Sequence, residues 1–142
     1  MIYTEQTKKA LQVCFDAHKD QLDKGGLPYV FHPFHLAEQM VTEETTIVAL
    51  LHDVVEDTHY TLADLTQMGF SEEITQALAL LTHADDRDYM EYIAAIRENP
   101  LAKAVKLADL QHNSDLTRLS TPDENALARC EKYRKAIALL EG

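Results

Sequence analysis

An all-α fold follows from three features of the 142-residue sequence. Apolar residues recur at helical spacing almost throughout. Only four Gly and four Pro interrupt the chain, and long β-branched runs are few, which argues against a sandwich or barrel. Capping signals stand ahead of several periodic segments. With 46% apolar residues and no linker, repeat or low-complexity stretch, residues 1–142 are expected to form a single domain with a real core.

The elements read in order. Leu11, Cys14, Phe15, His18 and Leu22 lie on one stripe of a first helix, stopped by Gly25-Gly26 and Pro28. Leu27 to His32 reads as irregular or extended, and Pro33 takes the first position of a second helix running to about Val41. Thr45-Thr46 caps a third helix covering Ile47 to Glu56. Thr61-Leu62-Ala63-Asp64 and Ser71-Glu72-Glu73-Ile74 open two more. A helix from about Tyr89 to Arg97 ends near Asn99-Pro100, and a long Ala/Leu-rich helix covers Leu101 to about Leu119. Thr121-Pro122-Asp123-Glu124 opens the last, whose Arg129, Lys132, Arg134 and Lys135 are placed towards its carboxyl end, where they complement the helix dipole or meet an acidic partner or another subunit. The expectation is a bundle of roughly seven or eight helices.

Charge and cysteine content narrow the function. Asp and Glu number 24 against 13 Lys and Arg, a net charge of −11 that opposes general binding to a nucleic-acid backbone. A small anionic substrate stays open, because a divalent cation can reverse the local field. Cys14 and Cys130 make no disulfide framework, and no paired CxxC spacing marks a zinc knuckle. The amino terminus lacks an apolar signal core, and the longest apolar run, Ile47 to Leu51, is too short for a bilayer. A cytoplasmic protein without membrane contact is expected.

The chemistry concentrates around Ile47-Val-Ala-Leu-Leu-His52-Asp53-Val-Val-Glu56-Asp57. Apolar residues on both sides place His52 and Asp53 mid-helix against the core, where an unpartnered carboxylate is costly. Asp53 faces Glu56 and Asp57 at helical spacing, so three acids share a turn. Carboxylates so close raise one another's pKa unless a cation sits among them. A divalent metal resolves the conflict, with His and Asp supplying nitrogen and oxygen donors. The competing account is a solvated acidic helix end with His52 packed in the core. Partners elsewhere are His32, before Pro33, with His35 as its competitor, and Asp109, set in an apolar helix with Asn113 one turn on. Asp109 can equally pair with Lys106 or Lys103. His32, His52, Asp53 and Asp109 together suit one cation, leaving positions for water and a substrate oxygen.

Three motifs, Gly26-Leu-Pro-Tyr29-Val-Phe-His32-Pro33, His52-Asp53-Val-Val-Glu56-Asp57-Thr58, and Val105-Lys106-Leu-Ala-Asp109 with Asn113, occur in this order across most of the chain. They resemble the HD-domain metal-dependent phosphohydrolases, and more narrowly the small alarmone hydrolases that are similar to the hydrolase half of RelA/SpoT-type proteins. The resemblance implies an all-helical HD bundle with His32, His52, Asp53 and Asp109 as ligands of one metal, typically manganese. It implies Glu56 and Asp57 as the acids that orient or activate the attacking water, Asn113 as a contact to the nucleotide, and Tyr29, Lys24 and Lys106 as further substrate contacts. The implied reaction removes the 3′-pyrophosphate of ppGpp or pppGpp. Two positions depart from the pattern: Asp23 and Asp115 stand where the family usually carries Arg, the better phosphate partner. A less charged nucleotide, or nucleotide sensing without turnover, are the alternative readings. No synthetase segment is recognisable within these residues.

Other reactive side chains read as structural. Cys14 and His18 share a face without a third orienting residue. His59, His83 and His112 are expected at the surface or at helix ends. Tyr89 and Tyr92 read as core or as the wall of a base pocket, and Asp85 to Asp88 as a solvated loop.

Overall fold

The computed structural model describes residues 1–119 and 121–142. Helix α1 (Glu5–His18) begins where the Thr4 hydroxyl accepts from the Thr7 backbone N–H, and Thr7 returns the bond in a reciprocal cap. It buries Thr7, Ala10, Val13, Cys14 and His18. The stripe expected from sequence is displaced: Leu22 lies past the helix end and is 70% exposed, and Phe15 is 60% exposed. Leu22 and Pro28 instead form one antiparallel bridge across a turn, and no strand occurs among the described residues.

Helix α2 (Phe31–Glu38) starts earlier than Pro33 predicts and stops short of Val41, so His32 belongs to its first turn. Pro33 still fits, because a first-turn residue needs no intrahelical N–H. Helix α3 (Glu43–Leu51) is capped by Thr42, not Thr45-Thr46. Thr42 is extended and accepts from the Thr45 N–H at 3.1 Å, while the Thr45 and Thr46 hydroxyls turn back to its carbonyl. Every residue from Thr45 to Leu51 is buried, and α3 packs against α1, α2, α6 and α8. Each large aliphatic side chain enclosed there contributes about 2 kcal/mol. This rigid rod carries the site at its carboxyl end.

A single turn, α4 (Val54–Asp57), follows. The two capping signals beyond it operate as expected: Thr61 and Asp64 form a capping box on α5 (Leu62–Gln67), and Ser71 caps α6 (Glu72–Leu81). Asp88 caps α7 (Tyr89–Arg97). Helix α8 (Pro100–Asn113) has Pro100 in its first turn and ends well before Leu119. The Asp115 carboxylate accepts from the Thr117 N–H at 3.0 Å and its hydroxyl at 2.5 Å, drawing Leu116–Arg118 into a 3₁₀ turn. Helix α9 (Glu124–Glu141) is capped by Asp123. Its basic residues lie mid-helix with none in the last turn, so the dipole account of them does not hold. The eight helices of six residues or more among the described residues match the expected bundle, and none of the described helices is long and apolar enough to cross a membrane.

Candidate metal centre and adjoining cleft

The helix expected to run through His52 and Asp53 is broken there. His52, which caps α3 at its carboxyl end, keeps helical angles, but Asp53 takes φ −107° and ψ 1°, and α4 starts at Val54. The cause is electrostatic: no basic residue lies at helical spacing to neutralise Asp53. At the break its carboxylate accepts from the Tyr29 hydroxyl and lies 3.2 Å from His52 Nε2.

Three buried side chains then meet from three helices. His32 on α2, His52 at the end of α3 and Asp109 on α8 offer donor atoms all within 4.8 Å of one another. His32 Nε2 is 2.8 Å from Asp109 Oδ1, and His52 Nε2 is 3.5 Å from the same oxygen. His52 Nδ1–H donates to the Ala49 carbonyl at 2.7 Å. That bond fixes the tautomer, so in the neutral ring Nε2 presents a lone pair to two carboxylates. The atom is buried and lacks a hydrogen-bond partner, and facing two carboxylates it is a place that a proton or a cation satisfies. The donor set of two imidazoles and a carboxylate, with Asp53 beside His52, fits a divalent cation.

The electrostatics agree. Burial alone would lower the His52 pKa, but the Asp53 and Asp109 carboxylates overcome it and hold it well above the ordinary imidazole range. Burial would raise Asp109, yet Lys106, His32 and His52 keep it well below the usual carboxylate range. Asp109 also reconciles its two sequence readings. Oδ2 pairs with Lys106 Nζ at 3.0 Å, while Oδ1 faces the histidines and accepts from Asn113 Nδ2 at 3.0 Å. Lys106 is therefore engaged with Asp109 and lies over the Tyr92 ring instead of reaching the cleft as a substrate contact.

One histidine lies at a helix end as expected but has a partner there. His112, expected to be partnerless at a helix end, has Nδ1 2.7 Å from His32 Nδ1, with the two rings nearly parallel. One nitrogen must donate and the other accept, so His112 orients the His32 ring. Its i+3 spacing from Asp109 was the available signal. His35 is exposed and stacks on His112, with centroids 4.1 Å apart. His83 also has work: its backbone N–H donates to Glu56 Oε1 at 2.7 Å. Glu56 and Asp57 are exposed and group with Asp53. Partial burial and then the Asp53 charge raise both above their ordinary values, with the His83 N–H opposing the rise at Glu56.

Beside this centre opens a cleft of ≈ 310 Å³, lined among others by Asp23, Lys24, Tyr29, Asn113, Arg118, Arg129 and Tyr133. Tyr29 and Asn113 belong to both, since they bond to Asp53 and Asp109. Arg129 and Tyr133 come from α9 and were missed because no local motif marks them. A wider apolar groove of ≈ 650 Å³ between α1 and α2, lined by Phe15, Phe31 and Phe34, contains none of these groups. Cys14 at that groove is a buried thiol pushed up to about 12 by burial, and His18 Nδ1 is 2.8 Å from Gln21 Oε1 while its Nε2 is buried without a partner. Tyr92 is likewise core, donating to the Leu81 carbonyl at 2.7 Å.

The His32, His52 and Asp109 donors thus meet inside a helical bundle with Asp53 beside His52, the arrangement that the resemblance to HD-domain hydrolases implies. The chain is similar to the hydrolase half of SpoT-type proteins. It is 33% identical over 134 residues to the bifunctional (p)ppGpp synthase/hydrolase SpoT of Escherichia coli, covering 84% of this chain and 19% of that one. It is 30% identical over 123 residues to the guanosine-3′,5′-bis(diphosphate) 3′-pyrophosphohydrolase of Aquifex aeolicus, covering 78% and 18%. It is 32% identical over 147 residues to a probable GTP pyrophosphokinase of Mycobacterium leprae, covering 94% and 18%. The chain thus spans about a fifth of the length of these curated relatives. A solved structure described under the finding that a metazoan ortholog of SpoT hydrolyzes ppGpp shares the fold, with TM-score 0.78 and 24% identity, covering 100% of this chain and 89% of that one. No protein-family model matches the chain.

Proposed function

We propose that residues 1–142 act as one cytoplasmic HD domain that removes the 3′-pyrophosphate of guanosine polyphosphates. The observation that carries this reading is the buried, unpartnered His52 Nε2 aimed at Asp109 and Asp53. Relatives named as guanosine-3′,5′-bis(diphosphate) 3′-pyrophosphohydrolases support the choice of substrate. His32, His52, Asp53 and Asp109 would hold one divalent cation through mixed nitrogen and oxygen donors, with manganese as the ion that the resemblance to HD-domain hydrolases implies. When bound, that cation would supply Lewis-acid polarisation of a phosphoryl oxygen and acidify water.

The chain's own groups do the rest. Water adds to the phosphorus bonded to the 3′ oxygen, the O3′–P bond breaks, and the 3′ oxygen takes a proton to give a hydroxyl and pyrophosphate. Glu56, fixed by the His83 N–H and raised in pKa, takes the proton of the attacking water. Asp57 stands in the same acidic group as the orienting residue. Asn113 and Tyr29 bridge centre and cleft, and Lys24 offers a cation at the rim for the nucleotide. Pyrophosphate release from ppGpp with added manganese, alongside metal analysis, tests the reading. Stoichiometric cation is expected, with GDP and pyrophosphate in equal amounts as the only products. Orthophosphate from another nucleotide, or binding without turnover, overturns it.

A further inference from the structure

The cleft is closed on one side by a contact between segments 95 residues apart. Asp23, in the turn after α1, places Oδ2 3.5 Å from Arg118 Nη2 in the 3₁₀ turn after α8. The side chains are only 12% and 21% exposed, so water weakens the pair less than it would a surface one. Arg118 Nη1 is spent on the chain as well, donating to the His112 carbonyl at 2.9 Å and to Asn113 Oδ1 at 3.1 Å. Asp23 Oδ1 independently accepts the Gly25 and Leu27 N–H groups, each at 2.9 Å. One carboxylate oxygen thus shapes the turn, and the other answers the charge of Arg118.

An arginine on the wall of a nucleotide cleft is a natural phosphate partner. Here its charge is already answered, and a second carboxylate, Asp115, lines the same wall. Lys24 and Arg129 are the remaining cations of the lining. Three cations against two carboxylates leave the cleft with a small positive excess, which each further phosphate on a ligand would exhaust and then oppose.

We propose that Asp23 is a specificity-determining residue: by answering Arg118 it limits how much phosphate charge the cleft accepts, favouring nucleotides with few phosphates beyond the group at the metal centre. This rests on the reading of the cleft as a nucleotide site. The substitution Asp23→Asn isolates the effect, because the amide oxygen still accepts the two N–H bonds of the turn while the charge is removed.

The test measures equilibrium binding of GMP, GDP and GTP to the wild type, Asp23→Asn and Arg118→Gln, at low salt and about 0.5 M salt, where screening shortens the reach of such charges to a few ångströms. The wild type is expected to bind all three within about 3-fold of one another, and Asp23→Asn to raise the GTP-to-GMP affinity ratio about 5- to 10-fold, the gain shrinking in high salt. Arg118→Gln leaves Asp23 unanswered and lowers the same ratio, which keeps the proposal testable if Asp23→Asn fails to fold. An unchanged ratio in the folded variants overturns the proposal, as does failure of every protein to bind any of the three nucleotides. Pyrophosphate release from ppGpp by the wild type is scored separately. Its absence with the ratio shifts intact sinks the hydrolase reading alone, and its presence with unchanged ratios sinks the role of Asp23 alone.

Discussion

Helices α3 and α8 pose the same problem and solve it differently. Each is a largely apolar helix that delivers a carboxylate to the centre of the molecule. In α8 the helix runs unbroken through Asp109 because Lys106 at i−3 and Asn113 at i+4 lie on the same face and satisfy both oxygens. In α3 no such neighbours exist, and the backbone leaves helical geometry at Asp53 so that Tyr29 and His52 can receive the carboxylate. A buried charge can be accommodated by its own helix or by a break in it, and the choice depends on what stands one turn away.

The widest separation between the two should appear on truncation. Asp109→Ala strands the buried Lys106 ammonium and is expected to cost about 3–5 kcal/mol in denaturant unfolding as well as cation binding. Asp53→Ala is expected to lose cation retention, read by metal analysis, at a stability cost of about 1 kcal/mol or less. Equal stability losses would remove the distinction.

Glu56→Gln, on the turn beyond the break, should keep the cation and lower turnover about 10²- to 10⁴-fold. Full activity of that variant would show that another group moves the proton. On the α8 side, His112→Phe should lower cation affinity about 10- to 100-fold by calorimetry, because His32 loses the partner that orients its ring.

The smallest effect concerns acid. Burial foremost, with Arg118 adding to it, depresses His112 to about 4. The unfolded chain, with an imidazole pKa of about 6.5, therefore binds more protons than the folded one below neutrality, and stability falls as pH drops through that window. After allowing for solvent screening, the His112 share is on the order of 1 kcal/mol. Burial lowers His32 and His18 too, while His52 is shifted the other way and loses its contribution as pH rises through its folded value. Thermal melts of cation-stripped protein from pH 7.5 to 4.5 should show the decline, less steep in His112→Phe than in the wild type.

Legibility in the sequence followed the range of the interactions. Caps at Thr61 and Ser71 were readable because they act within four residues. The helix class and the convergence of His32, His52 and Asp109 followed from apolar periodicity interrupted by polar residues that demanded partners. The break at Asp53 was hidden because the apolar pattern on either side continues in helical phase. The early end of α8 was hidden for a similar reason, since its cause, the Asp115 to Thr117 bonds, is a side-chain turn inside an apparently helical run. Arg129 and Tyr133 could not be placed, because only the packing of α9 on α7 and α8 brings them to the cleft.

Gly25 has a consequence of its own. A β-carbon there would collide with the Arg118 carbonyl oxygen, so the two rims of the cleft touch main chain to main chain. On that side the approach of the two rims is set by main chain. Exchanging Asp23 or Asp115 recolours the opening electrically and leaves that approach in place, whereas any side chain at position 25 would wedge the jaws apart, whatever its charge.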